Sequence, residues 1–193
     1  MGIEFEVKFQ ATPQVQAQIR ADVLGEEAIY QMHTTYYDTP TGRLSEKCYT
    51  LRRRMENGVS VCTLKAPAGD VARGEWEVVC DDVVRAIPML CRLGAPADLP
   101  ELCKEGIVEV CGAKFTRIAK TVCLPQGVLE LALDEGVLLG GGKEIPLCEV
   151  EVELKEGSRE FALGAAGNLM KNYGLTQERK SKFRRALDLA KGE

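Results

Sequence analysis

The sequence predicts an α+β protein, an eight-stranded antiparallel β-barrel with a charged lumen and flanking helices, in a single domain over residues 1–193. Three observations lead there. Segments alternate strictly between charged and apolar residues, as Glu4, Glu6 and Lys8 do against Ile3, Phe5, Val7 and Phe9. A period of two marks a strand with unlike faces. Strand segments number eight along the chain, at which a closed barrel just holds a small ligand. The helical segments carry apolar stripes that need strands to cover. Helices on the outside turn the charged faces inward, a departure from ordinary patterning of the kind found at functional sites.

Taken in order, the first strand covers Glu4 to Lys8 and sets two carboxylates roughly 7 Å apart, a spacing suited to sharing a divalent cation. Thr12-Pro13 reads as an N-cap followed by proline at the first helical position. That helix runs to about Leu24, with Val15, Ile19 and Val23 on one stripe, and Gly25 stops it. A second strand, Ala28 to Asp38, ends in the turn Thr39-Pro40-Thr41-Gly42. Strands three and four, Cys48 to Met55 and Val59 to Ala66, meet at the hairpin signal Asn57-Gly58. After a loop at Gly69 to Arg73, the fifth strand carries Glu75-Trp76-Glu77-Val78-Val79.

Asp81-Asp82 caps a helix over Val83 to Leu93 that Pro88 is expected to kink or interrupt, and a short helix follows at Glu101 to Glu105. Strands at Lys114 to Leu124 and Val128 to Glu135 flank the turn Pro125-Gln126-Gly127, and the eighth strand spans Glu144 to Lys155. The Gly140-Gly141-Gly142-Lys143 run is read as a hairpin turn, since it lacks the leading glycine spacing and the Ser/Thr of a phosphate loop. Helices at Ser158 to Tyr173, closed by Gly174, and at Ser181 to Lys191 complete the chain.

Composition narrows the functional classes. A net charge of −4 argues against a nucleic-acid surface. No apolar run reaches transmembrane length, and the first strand starts with no signal peptide ahead of it. The eight cysteines form no CxxC pair and His33 is the only histidine, so a zinc site is not expected. Several cysteines fall on apolar faces, where a free thiol behaves as a small hydrophobe. The expectation is a reduced, cytoplasmic protein with no membrane or nucleic-acid partner.

The charged residues separate into two groups. Glu4, Glu6, Glu149, Glu151 and Glu153 are acidic, with Asp38, Glu75, Glu77, Glu130 and Asp134 left open as to which way they face. Lys8, Arg52, Arg54, Lys65 and Arg117 are basic, with Arg73 and Lys182 as candidates. Arg53 points away from its neighbours, and Arg117 is favoured inward over Lys120 because both cannot face the lumen without a bulge. Three glutamates on one strand face repel unless a cation sits among them. A metal–polyphosphate complex accounts for both groups, with carboxylates on the metal and Arg and Lys on the phosphate oxygens.

Glu4-Phe5-Glu6-Val7-Lys8 is followed in order by Thr35-Tyr36-Tyr37-Asp38-Thr39-Pro40, Leu51-Arg52-Arg53-Arg54, Thr63-Leu64-Lys65-Ala66-Pro67, Arg73-Gly74-Glu75-Trp76-Glu77 and Ser181-Lys182-Phe183. Together these motifs resemble the CYTH family, or triphosphate tunnel metalloenzymes, over nearly the whole chain. The resemblance implies a barrel enclosing a tunnel that binds a triphosphate with Mg2+ or Mn2+. It further implies that Glu4, Glu6, Glu149, Glu151 and Glu153 hold metal, and that Lys8, Arg52, Arg54, Lys65, Arg117 and Lys182 bind phosphate. Tyr36 and Lys65 match a catalytic Tyr–Lys pair of the thiamine triphosphatases. Phe183 stands where the family commonly has tyrosine. The reading that follows is a hydrolase of inorganic triphosphate, with nucleoside or thiamine triphosphates as further substrates. The alternatives are a class IV adenylate cyclase and a non-catalytic polyphosphate-binding module. Such cyclases tend to carry a His-Phe pair shortly before ExExK, which is missing from Met1-Gly2-Ile3. Oligomeric state is not legible in the sequence.

Overall fold

The computed structural model describes residues 2–68 and 73–193, the first three by backbone alone. The side chain of Glu4, and all of the expected loop except Arg73, lie outside the described residues. The chain opens with two short strands, β1 (Gly2–Glu4) and β2 (Glu6–Gln10), split at Phe5, then α1 (Pro13–Asp22) and β3 (Glu26–Asp38). A one-turn helix α2 (Arg43–Glu46) leads to β4 (Thr50–Glu56), β5 (Val59–Pro67) and β6 (Arg73–Val79). Helices α3 (Val83–Arg92) and α4 (Leu99–Leu102) precede the long strands β7 (Val108–Leu124), β8 (Gly127–Gly140) and β9 (Lys143–Glu156). Helix α5 (Arg159–Tyr173), the two-residue β10 (Thr176–Gln177) and α6 (Lys182–Lys191) end the chain.

Every pairing is antiparallel, and the strand order is β1-β6-β5-β4-β3-β7-β8-β9-β2-β10. β1 bonds to β6 and β2 bonds to β9, with only Phe5 between β1 and β2. One continuous segment therefore joins the two sides of the sheet. With that segment taken as one and β10 set aside, eight strands surround the lumen among the described residues, as the alternation predicts.

The apolar strand faces point outward under helices. Leu51, Leu64 and Trp76 pack with Ile87 and Leu90 of α3, while Phe9, Leu131, Leu133 and Val150 pack with Ile19 of α1 and Ala162 and Ala166 of α5. A third cluster faces inward: Phe115 and Leu138, on the strand faces of Arg117 and Asp134, pack with Ala186 of α6 at one end of the barrel. Each large aliphatic side chain so buried contributes about 1.5–3 kcal/mol relative to leaving it in water. Gly74 makes room for the core's Trp76, since a Cβ there would come within 2.5 Å of the indole ring.

The expected helix signals operate as read. Thr12, Asp82, Ser158 and Ser181 accept backbone N–H bonds at the N-termini of α1, α3, α5 and α6, and Gly174 closes α5 in the left-handed region. Pro88 does not interrupt α3, which runs through it. The bond it removes is the one to the Val84 carbonyl, and Val84 is exposed, so water can take that acceptor. β3, β7 and β8 extend beyond their expected bounds, and α2 and β10 were not expected. α2 is organised by Asp38, whose buried carboxylate accepts from the N–H groups of Thr39, Leu44 and Ser45 and from the Ser45 hydroxyl. Asp38 thus anchors a helix and is not part of the acidic group in the lumen. All eight cysteines are free. Among the described residues no helix is long and apolar enough to cross a membrane.

Candidate active site

Strands β2 to β9 and the approach to α6 enclose a cavity of about 730 Å³. Of the described residues that line it, eleven are basic and seven acidic. The lumen is therefore cationic inside a chain whose net charge is −4. Among the described residues, only Tyr30, Met32, Tyr36, Ala119 and Phe183 bring apolar or aromatic surface to it. Such a wall suits a small polyanion and offers little to a base or a thiazole ring.

β4 supplies the central cations, because alternation sends Arg52 and Arg54 inward and Arg53 outward to the Asp81 carbonyl at 3.1 Å. The Arg52 guanidinium reaches Glu75 and Glu77 only at 3.5 and 3.7 Å, and its Nε is buried with no hydrogen-bond partner among the described residues. An orphaned guanidinium N–H is costly inside a protein, and a phosphate oxygen is its natural acceptor. Arg54 donates from Nε to Thr34 Oγ1 at 3.1 Å. Burial and the adjacent Arg52 push its guanidinium down, to about 10, so it stays charged at neutral pH. Lys65 lies 3.3 Å from Glu75, and Lys8 lies 2.7 Å from Glu6. Burial works to lower the Lys8 ammonium, but Glu6 and Glu151 outweigh it and raise the group above its ordinary value. Arg73 faces the cavity while donating to the Cys48 and Lys65 carbonyls and to Thr50, which ties β6 to its neighbours.

Deeper in, a buried ionic cluster sits beneath the N-terminus of α6. Asp134, Glu149 and Glu151 each offer an oxygen within 4.8 Å of the others, a spacing that can hold a metal ion. Here three cations occupy it. Arg117 grips Asp134 through two bonds of 2.7 Å and reaches Glu151 at 2.5 Å. Lys182 bonds to all three carboxylates, and Arg185 bonds to Glu149. Burial raises the Glu149 carboxyl above its usual range despite those cations. Burial also works to raise Glu151, but Lys182 and Arg117 override it and hold that carboxyl well below the usual range. The Phe115 ring lies 6.0, 5.9 and 5.3 Å from the charged ends of Arg54, Arg117 and Lys182, and its electron-rich face suits such company. On the outer side, Gln16 of α1 donates to the Asp134 and Glu149 carbonyls at 3.0 and 2.8 Å.

A second acidic group is a row made by register. Glu6 on β2 pairs with Glu153 on β9, which pairs with Glu130 on β8, and all three line the cavity. Like charges directly opposed across strands are destabilising unless a cation intervenes. Lys155 stands 2.8 Å from Glu153 and 3.6 Å from Glu130.

The expected residues therefore divide. Glu6, Glu151, Glu153, Lys8, Arg52, Arg54, Lys65, Arg117 and Lys182 share the lumen. Glu4 has its backbone in β1, and its side chain lies outside the described residues. Glu149 is fully buried and faces α6 rather than the cavity, its two oxygens taken by Lys182 and Arg185. Tyr36 lines the lumen with its ring 5.1 Å from Phe183. Of the placements left open, Glu75, Glu77, Glu130 and Arg73 face the cavity and Asp134 is in the buried cluster. Lys120 does point outward, where it donates to the Arg20 and Val23 carbonyls at the end of α1. Lys155, Arg185 and Phe115 escaped sequence reading. Lys155 continues the alternation Glu149, Glu151, Glu153 and was there to be found. Arg185 is one turn along α6 from Lys182, and no pattern marks it.

An antiparallel barrel with a charged tunnel and helices on its outer faces defines the class of protein. The chain belongs to the CYTH family, whose domain model matches residues 2–187. It is 26% identical to an inorganic triphosphatase of Haemophilus influenzae over 164 residues, covering 80% of this chain and 46% of that protein. This chain thus spans about half the length of that curated relative. Among solved structures, a Hippeastrum protein described as a candidate adenylyl cyclase with a dominant triphosphatase activity superposes with a TM-score of 0.67 at 22% identity. That match covers 100% of this chain and 97% of the other. A candidate adenylate cyclase from Bacillus halodurans gives a TM-score of 0.66 at 19% identity over 95% and 96% of the two chains. At such identities these two structures establish the fold alone.

Proposed function

We propose that this protein is a metal-dependent hydrolase that removes the terminal phosphate of inorganic triphosphate. The observation that carries the reading is the orphaned Arg52 Nε, buried in a cationic lumen with little apolar wall. A linear triphosphate carries roughly four negative charges near neutrality, each phosphate adding about one or more. Lys8, Arg52 and Arg54 can turn onto its oxygens without dismantling the buried cluster beneath α6, and Lys65 faces the same lumen. Their positive charge stabilises electron density moving onto the departing pyrophosphate. Arg117 and Lys182 are committed to the balanced buried cluster, which fixes the α6 end of the lumen. Water attacks the terminal phosphorus as the bond to the bridging oxygen breaks. In this reading Tyr36 and Lys65, which both line the lumen, orient that water, and its proton goes to the departing pyrophosphate.

The residues also fit a hard divalent cation. Glu6, Glu130 and Glu153 form an all-oxygen set on three adjacent strands, with Glu4 and Glu151 as neighbours in sequence. Bound there, Mg2+ or Mn2+ would polarise phosphoryl oxygens and lower the charge to be overcome. Glu149 serves as the anchor of α6 rather than as a ligand, because both its oxygens are already bonded to cations. The test is phosphate release from triphosphate, ATP, thiamine triphosphate and pyrophosphate, with cyclic AMP measured alongside. Triphosphate is expected to turn over fastest with no cyclic AMP. Cyclic AMP from ATP in excess of phosphate release would overturn the hydrolase reading.

A further inference from the structure

The lumen holds two acidic groups, and each already contains a lysine. The two lysines differ in how tightly they are held. Lys182 has 7% of its side chain exposed and bonds to three carboxylates. Drawing it out would leave buried charge without compensation. Lys155 has 40% of its side chain exposed and touches two carboxylates, one of them only at 3.6 Å. Its ammonium can swing into water on a flexible stem at small cost. Its position is also the one a divalent ion would take, beside Glu153 and Glu130, whose opposed charges require a cation.

We infer that Lys155 is the resident counter-cation at the Glu153–Glu130 end of the row, Glu6 being held by Lys8, and that a divalent metal must displace Lys155 to bind there. Lys155 therefore sets the metal affinity of the tunnel without being a ligand. The inference rests on the metal reading given above.

Calorimetric titration with Mn2+ alone tests this on four forms of the full chain: wild type, Lys155→Met, Lys155→Arg and Glu153→Gln. Lys155→Met, which keeps the stem and removes the charge, is expected to bind Mn2+ about three- to tenfold more tightly with unchanged stoichiometry. Lys155→Arg keeps the charge and should stay near the wild-type constant. Glu153→Gln should weaken binding. If Glu153→Gln binds as well as wild type, the metal reading at this row fails and the role of Lys155 falls with it. If Glu153→Gln weakens binding while Lys155→Met leaves it unchanged or weaker, the metal site stands and the displacement of Lys155 is refuted. Thermal unfolding of each form, expected within a few degrees of wild type, confirms that the titrations report on folded protein.

Discussion

Lys182→Met removes one charge from a cluster that is electrically balanced only by its presence. Asp134 and Glu149 have fully buried side chains, Glu151 has 9% exposed and Lys182 has 7%. Methionine keeps most of the aliphatic stem, so the loss is of charge and hydrogen bonds rather than of packing. Three buried carboxylates are then left facing only Arg117 and Arg185. Removing one partner of a buried ionic group costs about 3–5 kcal/mol. Each kcal/mol shifts the melting temperature by roughly 2–4 °C in a chain of this size, so the expected fall is about 6–20 °C near neutral pH. The pH dependence follows from the two glutamates. Glu149 is raised by burial and loses a cation that opposes the rise, so its folded form takes up a proton more readily and stability falls as pH climbs through that window. Glu151, despite burial, is held low by Lys182 and Arg117, a contribution present above the ordinary carboxylate range and lost as pH falls through its folded value. The variant forfeits part of that contribution. The Glu149 effect makes its deficit larger near pH 7 than near pH 4.5, whereas the Glu151 contribution is lost mainly below the ordinary carboxylate range. Thermal unfolding followed by circular dichroism at the two values measures it. A fall of under about 2 °C at neutral pH, or the same fall at both values, would refute the claim that Lys182 sustains the buried carboxylates.

Glu6→Gln should raise the Mg2+ concentration for half-maximal activity by about tenfold, since one of few weak oxygen ligands is lost. Arg52→Ala should instead lower kcat/KM by about 10²–10³ and leave the metal titration in place; a shift in the metal titration alone would place Arg52 off the phosphate. Triphosphate at a hundredfold excess over its Kd should stabilise the protein by about 2.7 kcal/mol, raising Tm by roughly 5–10 °C. Orthophosphate at equal ionic strength spans only part of the basic row and should do far less, and equal shifts would indicate a general anion effect. Gly74→Ala drives a methyl toward the Trp76 ring and should cost about 1–3 kcal/mol in urea unfolding, with wild-type stability arguing that the indole can move aside.

Which side of most strands is wet was legible in the sequence alone, while the facing of Glu75, Glu77, Glu130 and Asp134 was not. The period of two is local, and Glu4-Phe5-Glu6-Val7-Lys8 or Leu51-Arg52-Arg53-Arg54 displays it without reference to any partner. Amphipathic helices then decide that the wet side is the inside, because their stripes must cover something. The same local logic placed Arg53 and Lys120 outward and Arg117 inward, and it marked the caps at Thr12, Asp82, Ser158 and Ser181. The ordered motifs supplied the family. Only the tertiary structure decided which charge meets which. That depends on register between strands far apart in sequence, and on irregularities such as the shift between Tyr36 and Tyr37 in the β3–β7 pairing. It took the fold to bring Glu130 beside Glu153 and to take up Asp38 in a helix start. The fold also split the first strand between β6 and β9, and turned Glu149 toward Lys182 and Arg185. Alternation assigns a face, but a face holds many carboxylates. Whether one of them meets a metal, a lysine or a backbone N–H is settled by a few ångströms of long-range geometry that no local pattern encodes.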